Sequence, residues 1–218
     1  MTRRWAASAV FATLAIAVLA GCGGDPVTKQ YVFHQDDSPI QVDTPQLRHL
    51  KASAGIEACP QTTSPVAAGS RALPDITLPC LGGGRPVNIA QLRGPLVLNL
   101  WAQWCEPCRD ETKVLTQVAA EYADNVQVIG VDWQDTKPDW ALAMLRANDA
   151  TYPQLADPDA ATRAPLSIRG MPTTFFVTRN GSVSYVNNGP FDSADDLRQA
   201  IRDHLGVPVP VKSPKAGP

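Results

Sequence analysis

The chain has little charge and no surplus of the positive sign. Its 218 residues carry 19 Lys and Arg against 21 Asp and Glu, for a net charge of −2. That leaves no basic field to hold nucleic acid. Aromatic residues are sparse, at 6%. His34, His49 and His204 are scattered, so no second ligand pair stands at zinc spacing from the paired cysteines 105 and 108, and no metal is expected. The glycine run 82–84 lacks the Lys-Ser/Thr pair and helix start of a phosphate-cradling loop. Internal repeats are absent. What is present is a 44% hydrophobic content, enough for a packed core and too much for wholesale disorder. Proline is plentiful, at 20 residues.

The first residues read as an address. Arg3 and Arg4 precede a stretch without charge from Trp5 to Gly24, with an apolar centre over 9–20. This has the layout of a secretory signal. Its end, Leu19-Ala20-Gly21-Cys22, resembles the lipobox of bacterial lipoproteins, which implies cleavage before Cys22 and lipid attachment to it. The competing reading is an uncleaved membrane-spanning helix. Both readings leave the rest of the chain on the outer face, because Arg3 and Arg4 stay inside. The expected division is signal 1–21, tether 22–70, catalytic domain 71–206 and proline-rich tail 207–218. Loss of the signal leaves a net charge of about −4.

Five cysteines are an odd number for an exported chain. Lipidation of Cys22 removes the odd one. Cys105 and Cys108, two residues apart, form one unit. That leaves Cys59 to pair with Cys80 as a structural disulfide joining the tether to the start of the domain. A loop of this size is worth about 3 kcal/mol in the chain-entropy model.

Hydrophobic periodicity supplies the elements. Residues 40–42 are a candidate strand within an otherwise weakly patterned tether. Residues 75–78 and 85–89 make a hairpin around the glycine run. The apolar run 95–101 has the composition of a strand buried on both faces. Val114, Leu115, Val118, Ala119 and Tyr122 then fall at helical spacing. A second buried strand is expected at 126–131, and a helix through Trp140, Ala141, Met144 and Leu145 that ends near Asn148. Further strands are expected at 173–177 and 183–186, joined by a type I′ turn at Asn180-Gly181. A last helix is capped by Ser193, turns Leu197, Ala200, Ile201 and Leu205 inward, and stops at Gly206. The order is a parallel βαβ unit followed by an antiparallel ββα unit.

The chemistry concentrates in Trp104-Cys105-Glu106-Pro107-Cys108, where the buried strand gives way to a helix. A two-residue loop makes a poor structural staple, because little chain entropy is removed. A helix N-terminus, by contrast, concentrates unpaired N–H groups and positive dipole charge. It stabilises a thiolate at Cys105. Cys105 is expected to be the exposed attacking thiol and Cys108, one turn on, the buried resolving one. Pro107 suits the first helical turn.

At this point the chain resembles the thioredoxin superfamily, and specifically its TlpA/ResA-type membrane-anchored oxidoreductases. The matching phrases are Leu98-Asn99-Leu100-Trp101-Ala102-Gln103-Trp104-Cys105-Glu106-Pro107-Cys108-Arg109-Asp110-Glu111 and Gly170-Met171-Pro172-Thr173-Thr174, within about residues 73–206. The resemblance implies a thioredoxin-like α/β fold: a central mixed sheet flanked by helices, with an N-terminal β-hairpin extension. It implies that Pro172 is the family's cis-proline facing the cysteines, that the Met171 backbone binds an extended client strand to strand, and that Glu111 exchanges protons with the resolving thiol. The bland alternative for Glu111 is a solvated helix carboxylate. Trp104 and Glu106 are expected to flank the client. Asn99 departs from the buried aspartate of thioredoxins proper, which puts a proton relay through that strand in doubt.

The function implied is extracytoplasmic thiol–disulfide exchange on protein cysteines, without cofactor. The reductive direction is implied, with apocytochrome c as a client and a membrane thiol–disulfide donor restoring the pair. Disulfide insertion into secreted clients is the alternative. A peroxiredoxin-type peroxidase fits less well, since Ala102 stands where a threonine is wanted. A non-catalytic peptide-binding module is disfavoured by the intact cysteine pair.

Overall fold

The computed structural model describes residues 31–32 and 38–210. The signal segment 1–21, the lipidation site Cys22 and the tail from 211 onward lie outside the described residues.

Strand β4 (Leu96–Trp101) is buried along its whole length. It pairs in parallel with β5 (Gln127–Trp133) and antiparallel with β7 (Thr173–Val177). The sheet is completed by β6 (Gln154–Asp157), parallel to β5, and β8 (Val183–Asn188), antiparallel to β7, in the order β6-β5-β4-β7-β8. Alternation along β4 divides the core. Val97 and Trp101 join the cluster to which α1, α2, α3 and α4 contribute (Pro45–Ser53, Glu106–Tyr122, Pro138–Ala147 and Ala194–Leu205). Leu96, Leu98 and Leu100 join the second cluster. That one is built with the hairpin β2 (Ile76–Leu78) and β3 (Val87–Asn88). Strand β1 (Tyr31–Val32) adds to β2 in parallel. The thioredoxin-like mixed sheet and its flanking helices are therefore as the sequence implies.

Helix α4 follows the sequence signals closely. Ser193 Oγ accepts from Asp196 N at 3.2 Å, and Leu197, Ala200, Ile201 and Leu205 are buried. Gly206 ends the helix at φ +66, in the left-handed region that glycine enters without a Cβ clash.

Four local expectations need correction. Residues 40–42 form no strand; Ser38–Ile40 is a bend, and Val42 is buried with its carbonyl accepting from Gly82 N at 2.9 Å. The tether contains helix α1, in which Thr44 Oγ1 accepts from Leu47 N at 3.2 Å and proline opens the first turn. Leu47 and Ile56 bury this segment against the helical side of the core. Strand β6 was not expected. Finally, the 178–182 turn is not type I′. Gly181 has φ +86 but Asn180 stays at negative φ, and Gly181 N donates to Thr178 O at 2.9 Å. This is a type I turn followed by a left-handed glycine, which gives a three-residue hairpin connection.

Candidate active site

Strand β4 delivers the chain to the site. Ala102 is buried just past its end, and Ala102 O accepts from Cys105 N at 3.1 Å, which turns the backbone into α2. Cys105 caps that helix: its backbone is extended, and its Sγ accepts from Cys108 N at 3.3 Å. Cys105 and Cys108 are joined as a disulfide with Cα atoms 5.3 Å apart. The sulfur that would become a thiolate thus occupies the place where a helix N-terminus favours negative charge. One expectation changes here. Cys105 is itself buried, at 6% exposure against 1% for Cys108, because its Sγ turns inward to bond Cys108 and meet the helix N–H. The order of exposure stands, but the open thiol does not exist in the oxidised pair.

Glu111 lies three residues beyond Cys108 on α2 and is 1% exposed. It is no solvated helix glutamate. Burial pushes its carboxyl up to about 7, against the lowering effect of two donors. Phe191 N donates to Oε1 and Asn99 Nδ2 to Oε2, both at 2.9 Å. Asn99 Nδ2 also donates to Thr174 Oγ1 at 2.9 Å. The strand position that carries no acid therefore supplies the hydrogen-bond partner of the acid on the helix.

The Met171–Pro172 peptide is cis. Register Leu100↔Thr173 sets Pro172 at the end of β4 from which α2 departs. Met171 packs on the cluster that contains Cys105 and Cys108. An open depression is lined by Arg169, Gly170, Met171, Pro172, Asn188 and Gly189. Trp104 is 51% exposed, held by its Nε1 donating to Gln134 O at 3.2 Å. Trp101 is core instead, with Nε1 donating to Gln154 Oε1 at 3.0 Å. Glu106 is exposed in the first turn of α2.

An acidic pair beneath the Gln103–Trp104 loop escaped the sequence reading. Asp135 Oδ2 accepts from Gln103 N at 3.3 Å and Oδ1 from Lys137 N at 2.8 Å. Asp132 is 2% exposed, and burial first, then the charge of Asp135, push its carboxyl well above the carboxylate range. The available signal was one acid, Asp132, interrupting the apolar run of β5, with a second, Asp135, two residues past its end. Among the described residues no cluster of His, Cys, Asp and Glu is arranged to hold a metal ion.

The AhpC/TSA family matches residues 70–186, a span that includes both cysteines and the Pro172 segment. A thiol:disulfide interchange protein DsbE of Allochromatium vinosum is 35% identical over 138 residues, 62% of this chain and 73% of that one. The thiol:disulfide interchange protein HelX of Rhodobacter capsulatus is 33% identical over 129 residues, 58% of this chain and 71% of that one. A crystal structure from Chlorobium tepidum, described as a DsbE-type thiol:disulfide interchange protein, superposes with a TM-score of 0.55 at 31% identity. It covers 66% of this chain and 100% of that chain. The chain belongs to the AhpC/TSA family and, within it, to the thioredoxin-like thiol–disulfide oxidoreductases. It is an enzyme of protein thiol–disulfide exchange.

Proposed function

We propose that this protein is an extracytoplasmic reductase of protein disulfides, acting through Cys105 and Cys108 and tethered to the membrane by lipid on Cys22. The observation that carries the reading is the pairing of a helix-capping Cys105 with a buried carboxyl, Glu111, poised near neutrality on the same helix. The Cys105 thiolate attacks one sulfur of a client disulfide. A Cys105–client bond forms, and the client's other sulfur leaves with the electron pair and takes a proton. The Cys108 thiol passes its proton to the Glu111 carboxylate and attacks Cys105 Sγ. The second client sulfur leaves with the electron pair and takes the proton held by Glu111, and the Cys105–Cys108 bond is made. Two electrons have moved to the client, and a membrane dithiol donor restores the pair.

The client lies as an extended segment against the Met171 backbone and Pro172, with Trp104 and Glu106 on its flank. The depression beside Met171 and the exposed Trp104 ring support this placement. Apocytochrome c, whose cysteines must be reduced before haem attachment, is the client class that the TlpA/ResA resemblance implies. Direction follows from the relative stability of thiolate and disulfide forms.

The test is a Cys108→Ser chain expressed in its own host. Without the resolving thiol, clients accumulate as mixed disulfides on Cys105 and are read by mass spectrometry. Adducts with haem-binding cysteine motifs support the reading. A lack of adducts, or adducts that persist when Cys105 is also replaced by Ser, overturns it. A Cys105–Cys108 potential near those of the strong oxidants reverses the direction to disulfide insertion.

A further inference from the structure

A second disulfide has surroundings that a structural staple does not require. Cys59 and Cys80 are bonded, with Cα atoms 6.0 Å apart. The two cysteines are unequal. Cys80 is 1% exposed and Cys59 8%. Cys59 lines a surface depression together with Arg48, Gln61, Gly84 and Arg85. On the buried side, Lys51 sends its ammonium inward from α1: Nζ donates to Cys80 Sγ at 2.9 Å and to Gly83 O at 2.9 Å. Lys51 is 8% exposed, far less than a lysine ordinarily is.

The glycine run explains how the lysine reaches the sulfur. Gly82, Gly83 and Gly84 have φ of +71, +89 and +129. A Cβ on Gly82 would stand 2.8 Å from Lys51 Cβ, and one on Gly84 would stand 3.3 Å from Cys80 Sγ. The loop closes over the lysine stem and the sulfur because it carries no side chains. These glycines cradle an ammonium–sulfur contact.

We propose that Cys59–Cys80 is a second redox-active disulfide, opened by a dithiol that attacks Cys59 and expels Cys80 as a thiolate held by Lys51. The incoming thiolate bonds Cys59 Sγ as the Cys59–Cys80 bond breaks, and the electron pair goes to Cys80 Sγ. The second sulfur of the dithiol, losing its proton to solvent, then attacks the mixed disulfide and releases Cys59, which takes up a proton. The dithiol is oxidised to a disulfide, and Cys59 and Cys80 are reduced by two electrons. A neighbouring cation lowers a thiol's pKa, and a leaving thiol of lower pKa departs faster. Arg85 at the depression favours approach of an anionic sulfur, whereas Arg48 is already ion-paired with Asp43. Opening releases the covalent link between the α1 segment and the hairpin.

The test uses the full chain in its native state, with the two disulfides distinguished by differential alkylation and peptide mass spectrometry. With dithiothreitol at neutral pH, Cys59 and Cys80 become alkylatable while circular dichroism keeps its native form. Opening by dithiothreitol alone marks a small dithiol as sufficient, and opening by reduced thioredoxin as well extends the class to protein dithiols. A bond closed to both, while Cys105–Cys108 opens, overturns the proposal. Brief exposure to glutathione places the mixed disulfide on Cys59; an adduct on Cys80, or none, also overturns it. That measurement needs no variant. In Lys51→Met the rate of opening falls about tenfold and Lys51→Arg restores most of it, the leaving-group effect of the cation. An unchanged rate in a natively folded Lys51→Met chain overturns the role of the lysine.

Discussion

The side-chain amide of Asn99 on β4 donates to Glu111 Oε2 on α2 at 2.9 Å, and so ties the buried strand to the helix that carries the cysteine pair. The same nitrogen reaches Thr174 Oγ1 on β7. Asn99 Oδ1 is buried with no hydrogen-bond partner among the described residues. This is the pattern expected when Glu111 is ionised and accepts from both neighbours. A protonated Glu111 has a hydrogen to donate, and a reversed Asn99 amide presents Oδ1 to receive it. The network can therefore hold Glu111 in either proton state.

The proton balance of Glu111 gives a pH-dependent stability. Its carboxyl rises from an ordinary value of 4.5 to about 7 in the folded chain. Between those values the folded state binds more protons than the unfolded one, so stability falls as pH rises. The full difference is about 3 kcal/mol, present below pH 4.5 and lost by the time pH passes 7. In Glu111→Gln the share of the slope due to Glu111 disappears and the profile is shallower, as urea midpoints taken from pH 4.5 to 8 will show. Parallel slopes in the two proteins would falsify the assignment. The pH profile for resolving the mixed disulfide should lose its inflection near 7 in the same variant.

Gly130 on β5 makes room for a buried contact. A Cβ there would overlap Gln154 Oε1 and stand 2.8 Å from Trp101 Nε1, the two atoms that share a hydrogen bond. Both groups are buried, so neither finds water when the bond is broken. Gly130→Ala is expected to destabilise the fold by about 2–4 kcal/mol through overpacking and unpaired polar groups. The cysteine pair is not touched directly. Thermal unfolding should show the loss while the potential of Cys105–Cys108 stays near its original value; the opposite pattern contradicts this account.

Asp132 offers a prediction of the opposite sign. Its carboxyl is buried beside Asp135 and held well above the carboxylate range, while Asp135 is the member that accepts from two backbone N–H groups. Burial and the neighbouring charge of Asp135 therefore keep the proton on Asp132. Keeping that proton opposes folding increasingly as pH rises above the range of a free aspartate. Asp132→Asn retains a donor toward Asp135 without the proton. The variant should match the parent near pH 4 and be the more stable of the two at pH 8. Chemical denaturation at the two pH values decides it, and a variant weaker than the parent at both overturns the account of a proton held on Asp132.

The sheet and its helices were legible because their signals are local and repeated. The run 96–101 is apolar at nearly every position, and α4 carries a capping serine, a four-residue apolar stripe and a terminal glycine. Helix α1 was missed because it is short and buries only Leu47 and Lys51, although Thr44-Pro45 is a start signal. Strand β6 is four residues long and carries two buried polar groups, Gln154, which bonds the distant Trp101 and the nearby Tyr152 O, and Asp157, which accepts from Ala161 and Thr162 in the turn that follows. At the site, the Cys105–Cys108 pair was legible from its spacing, and Glu111 and Pro172 as candidates from the thioredoxin-superfamily resemblance. The Asn99–Glu111 bond, the Asp132–Asp135 pair and the Lys51–Cys80 contact were not. Each joins residues whose meeting depends on strand register or loop closure, which no local pattern encodes.

Trp104 separates client binding from folding. Half of its surface is exposed, and its indole is anchored by one hydrogen bond, to Gln134 O. Few buried contacts are lost on truncation, so Trp104→Ala should shift the urea midpoint by no more than the equivalent of about 1 kcal/mol. A protein client that stacks on the ring loses an aromatic anchor of the kind that dominates interfaces. A reduction of about tenfold in kcat/KM toward an extended disulfide peptide follows, carried mainly by KM. Steady-state kinetics with such a peptide, set beside denaturation curves, tests both halves. If kcat alone falls, the ring tunes the cysteine pair instead of holding the client. If stability collapses, Trp104 is a packing residue despite its exposure.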